Sequence, residues 1–310
     1  MQVYPKITIV TVCLNSKSFI EDCITSVIGQ QYPNLEYIIV DGGSTDGTLE
    51  VIEKYRDKFN IIISEPDTGP ANALNKAFAL STGEILGWLN SDDKLHSQSL
   101  FAIANVFETV TEADWIMGYP SWLTPDGNFV DEIYYKNNRF YYSPNYINDN
   151  FHMKFARWSK WRFAMGDFSA IQQESVFWRR TLWEKAGSRL NENTIAYDLE
   201  LWTRFFEYAE LYTTNVLLGG FRIHGRQLSM QEPERYRAES QLHVAALKKK
   251  LFSKQPLFRI RTFFAFISKL LYYYNIPLLN GIYPSLLNLP PYIYYEHYKQ
   301  RFILAKGRSL

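Results

Sequence analysis

The chain has few of the features that mark secreted, metal-clustered or nucleic-acid-binding proteins. Only two of its 310 residues are cysteines, Cys13 and Cys23, which are too few for a disulfide framework and do not form a zinc-ligand pattern. Cys13 lies in an apolar run, so we expect an inert buried thiol and a reduced, cytoplasmic setting. The formal net charge is +1, without the basic excess of a nucleic-acid binder. We therefore expect no nucleic acid partner.

Targeting and repeat signals are also missing. The apolar residues 7–14 follow a single lysine and precede a polar stretch without a small-residue cleavage site, unlike a secretory signal peptide. No tandem repeat or low-complexity tract occurs. The hydrophobic fraction of 46% and the length suit a globular protein with a substantial core. Aromatic residues make up 16%, and their clusters at 133–135, 140–142 and 158–161 suit either a sugar-stacking surface or a core.

Apolar runs alternate with helix-compatible stretches near the start of the chain. The runs cover residues 7–12, 35–40, 61–63 and 84–89, and the helical stretches cover residues 18–29, 48–59 and 70–80. This alternation is typical of a parallel sheet with helices on both faces, in which the strands are buried. All four strands then end at one edge, where open α/β sheets bind ligands. We predict an α/β fold with a mostly parallel central sheet.

Polar side chains follow each of these runs. In chain order the tips carry Thr11 and Asn15, then Asp41, then Asp67, then Asn90 with Asp92 and Asp93. After Asp41, glycines permit a tight turn, and Ser44 or Thr45 is a candidate cap for the next helix. An Asp at such a strand tip commonly holds a ribose or a base. One such tip occurs in many folds, whereas four of them together indicate a nucleotide site.

Asp92 and Asp93 are adjacent carboxylates at a strand end. They repel each other there unless a cation neutralises them. Oxygen-rich sites of this kind suit Mg²⁺ or Mn²⁺, which also bridge phosphates. The alternative is a helix cap, because both residues precede the helical stretch 99–108. The residues alone leave both interpretations open.

Nine motifs follow one another over roughly residues 5–230. In chain order they read TIVTVCLN, VDGGSTDGT, SEPDTG, ALNK, STG, WLNSDD, QQESVFWR, AYDLELWTR and FRIHGRQLS. Their order and spacing resemble the inverting family 2 glycosyltransferases of the GT-A type. The resemblance implies a GT-A, Rossmann-like catalytic domain at residues 1–230, with a helical, aromatic-rich extension at 231–310.

The same resemblance implies a reaction. It is the transfer of a single hexosyl or N-acetylhexosaminyl group from a nucleoside-diphosphate sugar to a hydroxyl of a glycan or lipid-linked acceptor, as in polysaccharide biosynthesis. A UDP-sugar is the expected donor, and Mg²⁺ or Mn²⁺ the expected cofactor. The Gln-x-x-Arg-Trp motif of processive synthases does not occur in the sequence. We therefore expect transfer of one sugar rather than polymerisation.

The resemblance also implies roles at matching positions. Those expected to bind the nucleotide sugar are Thr11, Asn15, Asp41, Asp67, Asn75, Asn90, Asp92 and Gln173. Those expected to hold the metal are Asp92, Asp93 and His224. Asp198 matches the general base, which the chemistry needs because an acceptor hydroxyl is a poor nucleophile until its proton is taken. The residues alone leave a structural role open, in which Asp198 caps a helix and Glu200 pairs with Arg204 at i,i+4.

Two positions depart from the family pattern. Asn90 stands where the metal motif Asp-x-Asp has its first Asp, and Leu74 stands where many members have an Arg facing the diphosphate. The phosphate charge must then be balanced by the metal and by Lys76, Arg222 or His224. These departures keep one alternative open, a catalytically degenerate sugar-nucleotide-binding module.

The composition changes after residue 231. Residues 256–269 have a basic amphipathic pattern, and residues 270–295 carry no charge but include four prolines, which disfavour an ordinary spanning helix. One interpretation is a peripheral contact with the cytoplasmic face of a membrane, with tyrosines at the headgroup level. The other is a helical appendage that packs on the catalytic domain or forms a homodimer.

Overall fold

The computed structural model describes residues 4–130, 133–136, 139–142, 158–166, 171–254, 260, 263 and 290–305. The helices are α1 Ile20–Ile28, α2 Thr48–Glu53, α3 Pro70–Leu80, α4 Ser99–Thr109, α5 Lys160–Ala164, α6 Arg180–Lys185, α7 Tyr197–Tyr208, α8 Leu228–Gln231 and α9 Pro233–Lys254. The strands are β1 Ile7–Cys13, β2 Leu35–Asp41, β3 Ile61–Ser64, β4 Ile85–Asn90, β5 Lys94–Leu95, β6 Trp115–Met117, β7 Trp122–Leu123, β8 Phe129–Val130, β9 Ile133–Lys136, β10 Arg139–Tyr142, β11 Val176–Arg179, β12 Tyr212–Thr213, β13 Gly219–Arg222, β14 Tyr292–Glu296 and β15 Arg301–Ala305.

The largest sheet has seven strands in the order β12-β6-β11-β4-β1-β2-β3. Strand β1 pairs in parallel with β2 and β4, and β2 pairs in parallel with β3, which confirms the arrangement predicted for the first four strands. Strand β11 runs antiparallel to both β4 and β6, so the sheet is mixed on that side. Strand β1 is buried along its whole length, as expected for a sheet covered on both faces.

The predicted helices differ from the structure mainly at their ends. Helix α3 has the predicted bounds, whereas the helix predicted at 48–59 is interrupted, because α2 ends at Glu53 and a separate 3-10 turn spans Arg56–Lys58. The predicted caps are wrong. Helix α2 begins after Gly47 in a left-handed conformation (φ 96°), and Gln98 rather than an aspartate precedes α4. The Ser44 hydroxyl instead accepts a hydrogen bond from the Asn15 amide, at 2.8 Å.

Two apolar clusters pack on the sheet, and successive residues of β1 supply them alternately. Val10 and Val12 join the cluster with α3 and α7, whereas Ile7 and Ile9 join the cluster with α1 and α4. The first cluster also contains Trp158 and Trp161, which are 0% and 2% exposed and therefore form core rather than a sugar-stacking surface. Nothing is described of the side chains at 133–135 and 140–142.

Helix α9 packs against the same apolar cluster as the central sheet. Its residues Val244, Leu247 and Leu251 are buried in the same cluster as the tryptophans of the sheet. The predicted domain boundary at residue 230 therefore falls between elements that share one core. The helical character predicted for the region after residue 231 is confirmed for this helix.

Residues 290–305 form a hairpin rather than a helix. Strands β14 and β15 pair antiparallel, and Ile293 and Phe302 are buried in the cluster with α1 and α4. The tyrosine-rich sequence of β14 favours a strand over a helix, which explains the difference from the prediction. The basic amphipathic stretch 256–269 and the uncharged residues to 289 lie outside the described residues, apart from Ile260 and Phe263. Within the described part of the chain, no helix is long and apolar enough to cross a membrane.

Candidate active site

A cleft of about 700 Å³ lies at the predicted edge of the sheet. The ends of β1 and β4 line it together with the loop after β3, the 3-10 turn Gln173–Ser175, the start of α7 and the loop after β13. Seven of the predicted site residues also line it, namely Asn15, Asp67, Asn90, Asp92, Gln173, Asp198 and His224. The fold thus brings together residues from both halves of the sequence.

Hydrogen bonds between neighbouring loops hold several of these residues. Asn15 accepts a bond from the Thr45 amide through Oδ1 at 2.9 Å, and Asp67 accepts one from the Gly69 amide at 2.8 Å. Asn90 donates to Oε1 of Gln173 at 3.1 Å, and Gln173 donates to the Trp88 carbonyl at 2.6 Å. The amide at position 90 is therefore part of a network that fixes the end of β4.

Three of the predicted nucleotide-binding residues, Thr11, Asn75 and Asp41, do not line the cleft. The Thr11 side chain is fully buried toward α1, with its hydroxyl 3.0 Å from the Tyr37 hydroxyl. Side chains alternate along a strand, and the next residue, Val12, is the one that lines the cleft. Asn75 donates to the Leu190 carbonyl at 3.0 Å and to Glu192 at 2.8 Å, so it fastens that segment to α3.

Asp41 and Asp93 are also buried, each 1% exposed. Asp41 accepts hydrogen bonds from the amides of Gly43 and Ser44 and from the Ser64 hydroxyl, so it shapes the turn after β2. Asp93 accepts a bond from the Arg222 amide at 2.9 Å, and it does not line the cleft. Burial and the nearby Asp92 raise the pKa of Asp93 well above its usual range. Asp93 therefore lies outside the cleft that the neighbouring Asp92 lines.

Asp92 and His224 face each other in the cleft. His224 Nε2 lies 2.8 Å from Asp92 Oδ2, and the Phe19 ring packs against the imidazole with centroids 4.6 Å apart. Arg222 is 2% exposed and holds this loop, because it donates to the Asp92 carbonyl at 2.6 Å and to the Asp22 carboxylate at 2.9 Å.

The donor set fits a divalent metal that also binds a substrate. Among the described residues, no group of three or more His, Cys, Asp or Glu could hold a metal ion. Asp92 and His224 are the pair of oxygen and nitrogen donors that face each other in the cleft. Mg²⁺ commonly takes one or two carboxylates and fills its other positions with waters and substrate phosphates. A two-residue site suits a metal bridged to a diphosphate.

Asp198 lies half-buried in the first turn of α7. Ala196 is the residue before the helix, so the alternative in which Asp198 caps it is wrong, whereas the predicted Glu200–Arg204 pair is present at 2.8 Å. The Tyr236 hydroxyl on α9 donates to both carboxylate oxygens of Asp198 at 3.3 Å. Burial raises the pKa of Asp198, and the bond from Tyr236 opposes that rise.

The sequence analysis did not identify two further residues that line the cleft, Glu174 and Tyr236. Glu174 is 2% exposed, and its Oε1 has no hydrogen-bond partner among the described residues. Burial, with repulsion from Asp92 and Asp198, raises the pKa of Glu174 to about 8. Glu174 directly follows Gln172 and Gln173, so the motif QQES carried a signal for it. Tyr236 lies in a polar stretch with no motif, and nothing in the sequence pointed to it.

Comparison with known proteins identifies the family. Residues 8–178 match the family described as glycosyl transferase family 2. The chain belongs to this family. The family resemblance read from the sequence motifs is therefore confirmed.

Curated relatives from several bacteria match this family 2 chain. TuaG of Bacillus subtilis (strain 168), named for teichuronic acid biosynthesis, is 32% identical over 132 residues, covering 42% of this chain and 52% of TuaG. The poly(ribitol-phosphate) beta-N-acetylglucosaminyltransferase TarS of Staphylococcus aureus (strain Mu50 / ATCC 700699) is 33% identical over 100 residues, covering 31% of this chain and 18% of TarS. The chain thus spans about half or less of the length of these two relatives.

Solved structures share the fold. TarS 1–349 from S. aureus in complex with UDP-GlcNAc aligns with a TM-score of 0.56 and 18% identity, over 82% of this chain and 75% of that one. The mannosyltransferase PcManGT from Pyrobaculum calidifontis, in complex with GDP-Man and Mn²⁺, aligns with a TM-score of 0.54 and 18% identity, over 79% and 64%. The predicted GT-A fold is confirmed.

Proposed function

We propose that this family 2 protein transfers a single sugar, with inversion, from a nucleoside-diphosphate sugar to an acceptor hydroxyl. One observation carries the proposal: a single cleft contains the Asp92–His224 pair and the half-buried Asp198. The Asp92–His224 pair suits the diphosphate end of a donor, and Asp198 suits the acceptor end. Direct attack by an activated hydroxyl on the anomeric carbon inverts that centre.

The donor is expected to be a UDP-sugar carrying a hexosyl or N-acetylhexosaminyl group. TarS, which has the same fold, binds UDP-GlcNAc, and PcManGT binds GDP-Man. In this chain Asn15, Asp67 and Gln173 line the cleft and are the candidates for contacts with the nucleotide sugar. Asp41 would act indirectly by shaping the turn beside them.

Asp92 and His224 would hold Mg²⁺ or Mn²⁺ in this proposal. When bound, the metal supplies positive charge that stabilises the departing nucleoside diphosphate. Asp198 takes the acceptor proton as the new glycosidic bond forms. Tyr236 keeps the carboxylate of Asp198 oriented, because it donates to both of its oxygens.

The acceptor is proposed to be a glycan or a lipid-linked saccharide. The names of TuaG and TarS refer to teichuronic acid and poly(ribitol phosphate), which supports polysaccharide biosynthesis. The catalytic unit is proposed to continue through α9, since this helix supplies Tyr236 to the cleft. The aromatic-rich extension at 231–310 is proposed to make a peripheral membrane contact or to form a homodimer.

Measurements of nucleotide binding and turnover test this function. UDP, GDP, dTDP and CDP are screened by thermal shift with and without Mn²⁺, since a ligand that binds the native state raises Tm. We expect one nucleotide to raise Tm in a metal-dependent way, and its sugar conjugate to release nucleoside diphosphate in the presence of acceptor. Binding without turnover across donors and acceptors would instead favour the degenerate binding module.

The variant Tyr236→Phe tests how Asp198 is held. The tyrosine hydroxyl stabilises the charged carboxylate, so its removal raises the pKa of Asp198 and leaves more of the base protonated at low pH. Since one hydrogen bond contributes about 0.5–1.5 kcal/mol, we expect the acidic limb of the kcat profile to move up by roughly 0.5–1 pH unit. The loss of rate is therefore largest at low pH and shrinks as pH rises.

Two controls accompany that pH profile. Tyr208→Phe removes a hydroxyl from a tyrosine of α7 that is 53% exposed, and it should leave the profile unchanged. Glu174 and Tyr197 are also close enough to interact with Asp198, and burial raises the pKa of Glu174 to about 8. The acidic limb should persist in Glu174→Gln. A loss of rate in Tyr236→Phe that is equal at every pH would indicate a purely structural role.

A further inference from the structure

The negative charge of the proposed donor's diphosphate must be offset by positive charge, whereas most of the charged side chains that line the cleft are acidic. Four acidic residues line the cleft, namely Asp67, Asp92, Glu174 and Asp198. Leu74, which stands where the family resemblance implies an arginine facing the diphosphate, is fully buried in the cluster with α3 and α7. A leucine packed in the core cannot contact phosphate. Another cation must take that role if the proposed function is correct.

Two basic side chains that the sequence suggested for this role, those of Lys76 and Arg222, already pair with other groups of the protein. Lys76 Nζ lies 2.7 Å from the Glu65 carboxylate and does not line the cleft. The Arg222 guanidinium is buried, and its nitrogens donate to the Asp92 carbonyl, the Pro125 carbonyl and Asp22. Freeing Arg222 would leave these acceptors without a partner, which is unfavourable for buried polar groups.

Among the described residues that line this cleft, Arg226 is the only lysine or arginine. Its side chain is exposed, and its guanidinium makes no hydrogen bond or ion pair within the part of the chain that the structure describes. Its amide donates to His224 Nδ1 at 3.2 Å, while the other ring nitrogen of His224 contacts Asp92. Arg226 therefore lies at the metal-binding end of the cleft.

The turn that carries Arg226 is fixed rather than loose. Gly225 has a φ of 77°, which favours glycine, and its amide donates to Gln227 Oε1 at 2.8 Å. Gln227 is 7% exposed and donates to the Arg222 carbonyl, so the turn is fastened to the end of β13. The backbone is thus held on both sides of a residue whose guanidinium has no protein partner among the described residues.

We propose that Arg226 binds the diphosphate of the donor. A guanidinium presents paired N–H donors in the geometry that phosphate oxygens accept. Together with the metal at Asp92 and His224, it offsets the charge of the diphosphate in a cleft that is otherwise acidic. This inference rests on the proposed function, because it assumes a nucleoside-diphosphate ligand.

Calorimetric titration with UDP and with uridine tests the inference without any turnover. Each is titrated into the wild type, Arg226→Ala and Arg226→Lys, once with Mn²⁺ and once with EDTA. Charged hydrogen bonds contribute about 1.5–3 kcal/mol, so Arg226→Ala should bind UDP roughly 10- to 100-fold more weakly and bind uridine unchanged. Arg226→Lys should recover part of the affinity. Lys76→Ala is the matched control and should bind UDP as the wild type does.

The possible outcomes separate this inference from the proposed function. Unchanged UDP affinity in Arg226→Ala overturns the role of Arg226, as does an equal loss for UDP and uridine, which would indicate damage to the cleft. If the wild type prefers GDP to UDP, GDP and guanosine replace UDP and uridine in the same comparison. If the wild type binds UDP no more tightly than uridine, and GDP no more tightly than guanosine, the proposed function is overturned. This inference then falls with it.

Discussion

Asp198→Asn is expected to lower kcat by at least about 100-fold while the affinity for the nucleotide stays close to that of the wild type. The amide has nearly the shape of the carboxylate but cannot take the acceptor proton. Tyr236 still has an oxygen to which it can donate, so the start of α7 keeps its geometry. The measurement compares kcat for donor-dependent release of nucleoside diphosphate with the Kd of that nucleotide in the presence of Mn²⁺.

Glu207→Gln is the control for this substitution. It makes the same carboxylate-to-amide change on the same helix, but Glu207 pairs with Lys250 and does not line the cleft. We expect kcat to be unchanged in the control. If Asp198→Asn turned over as fast as the wild type, Asp198 would have no part in the proton transfer, and its burial beside Tyr236 would be structural.

Asp92→Asn is expected to abolish most of the metal-dependent binding. The substitution keeps a side chain of the same size beside His224 but removes the charge that attracts Mg²⁺ or Mn²⁺. Because such a metal stabilises charge by several kcal/mol, kcat/KM should fall by at least about 100-fold. The rise in Tm that the nucleotide produces with Mn²⁺ should shrink to the rise seen without metal.

The variant Asp93→Asn tests whether the neighbouring carboxylates of Asp92 and Asp93 have different roles. Asp93 is 1% exposed, and it accepts a hydrogen bond from the Arg222 amide instead of facing the cleft. We expect this variant to keep the Mn²⁺-dependent rise in Tm, and any change in its unliganded Tm would report the packing around Arg222. A loss of metal dependence in Asp93→Asn as large as in Asp92→Asn would contradict the assignment of the metal to Asp92 and His224.

Local patterns predicted much of the framework. The bounds of Pro70–Leu80 could be read from a proline at the first helical position and an apolar spacing close to 3.6 residues. The apolar runs at β1 and β2 indicated buried parallel strands, and the polar residues after them indicated the ligand-binding edge. These features depend on neighbours within a few residues, so the sequence contains the information directly.

The direction of individual side chains was harder to predict. Thr11 and Val12 differ by one position, and the alternation of a strand sends the first toward α1 and the second into the cleft. Asp92 and Asp93 lie in the turn after β4, where the Arg222 amide donates to Asp93 while Asp92 lines the cleft. A motif matched by spacing alone does not fix which of two adjacent residues faces a ligand.

Motifs and periodicity in the sequence were enough to predict the α/β class, the family and the edge of the sheet where the cleft lies. They were not enough to predict which side chains share that cleft, because this depends on how distant segments pack. The tertiary structure brought Tyr236 on α9 to Asp198, buried Arg222 among backbone carbonyls and left the Arg226 guanidinium facing the cleft. These arrangements follow from packing between segments far apart in the chain, and such contacts leave no periodic or local signal in the sequence.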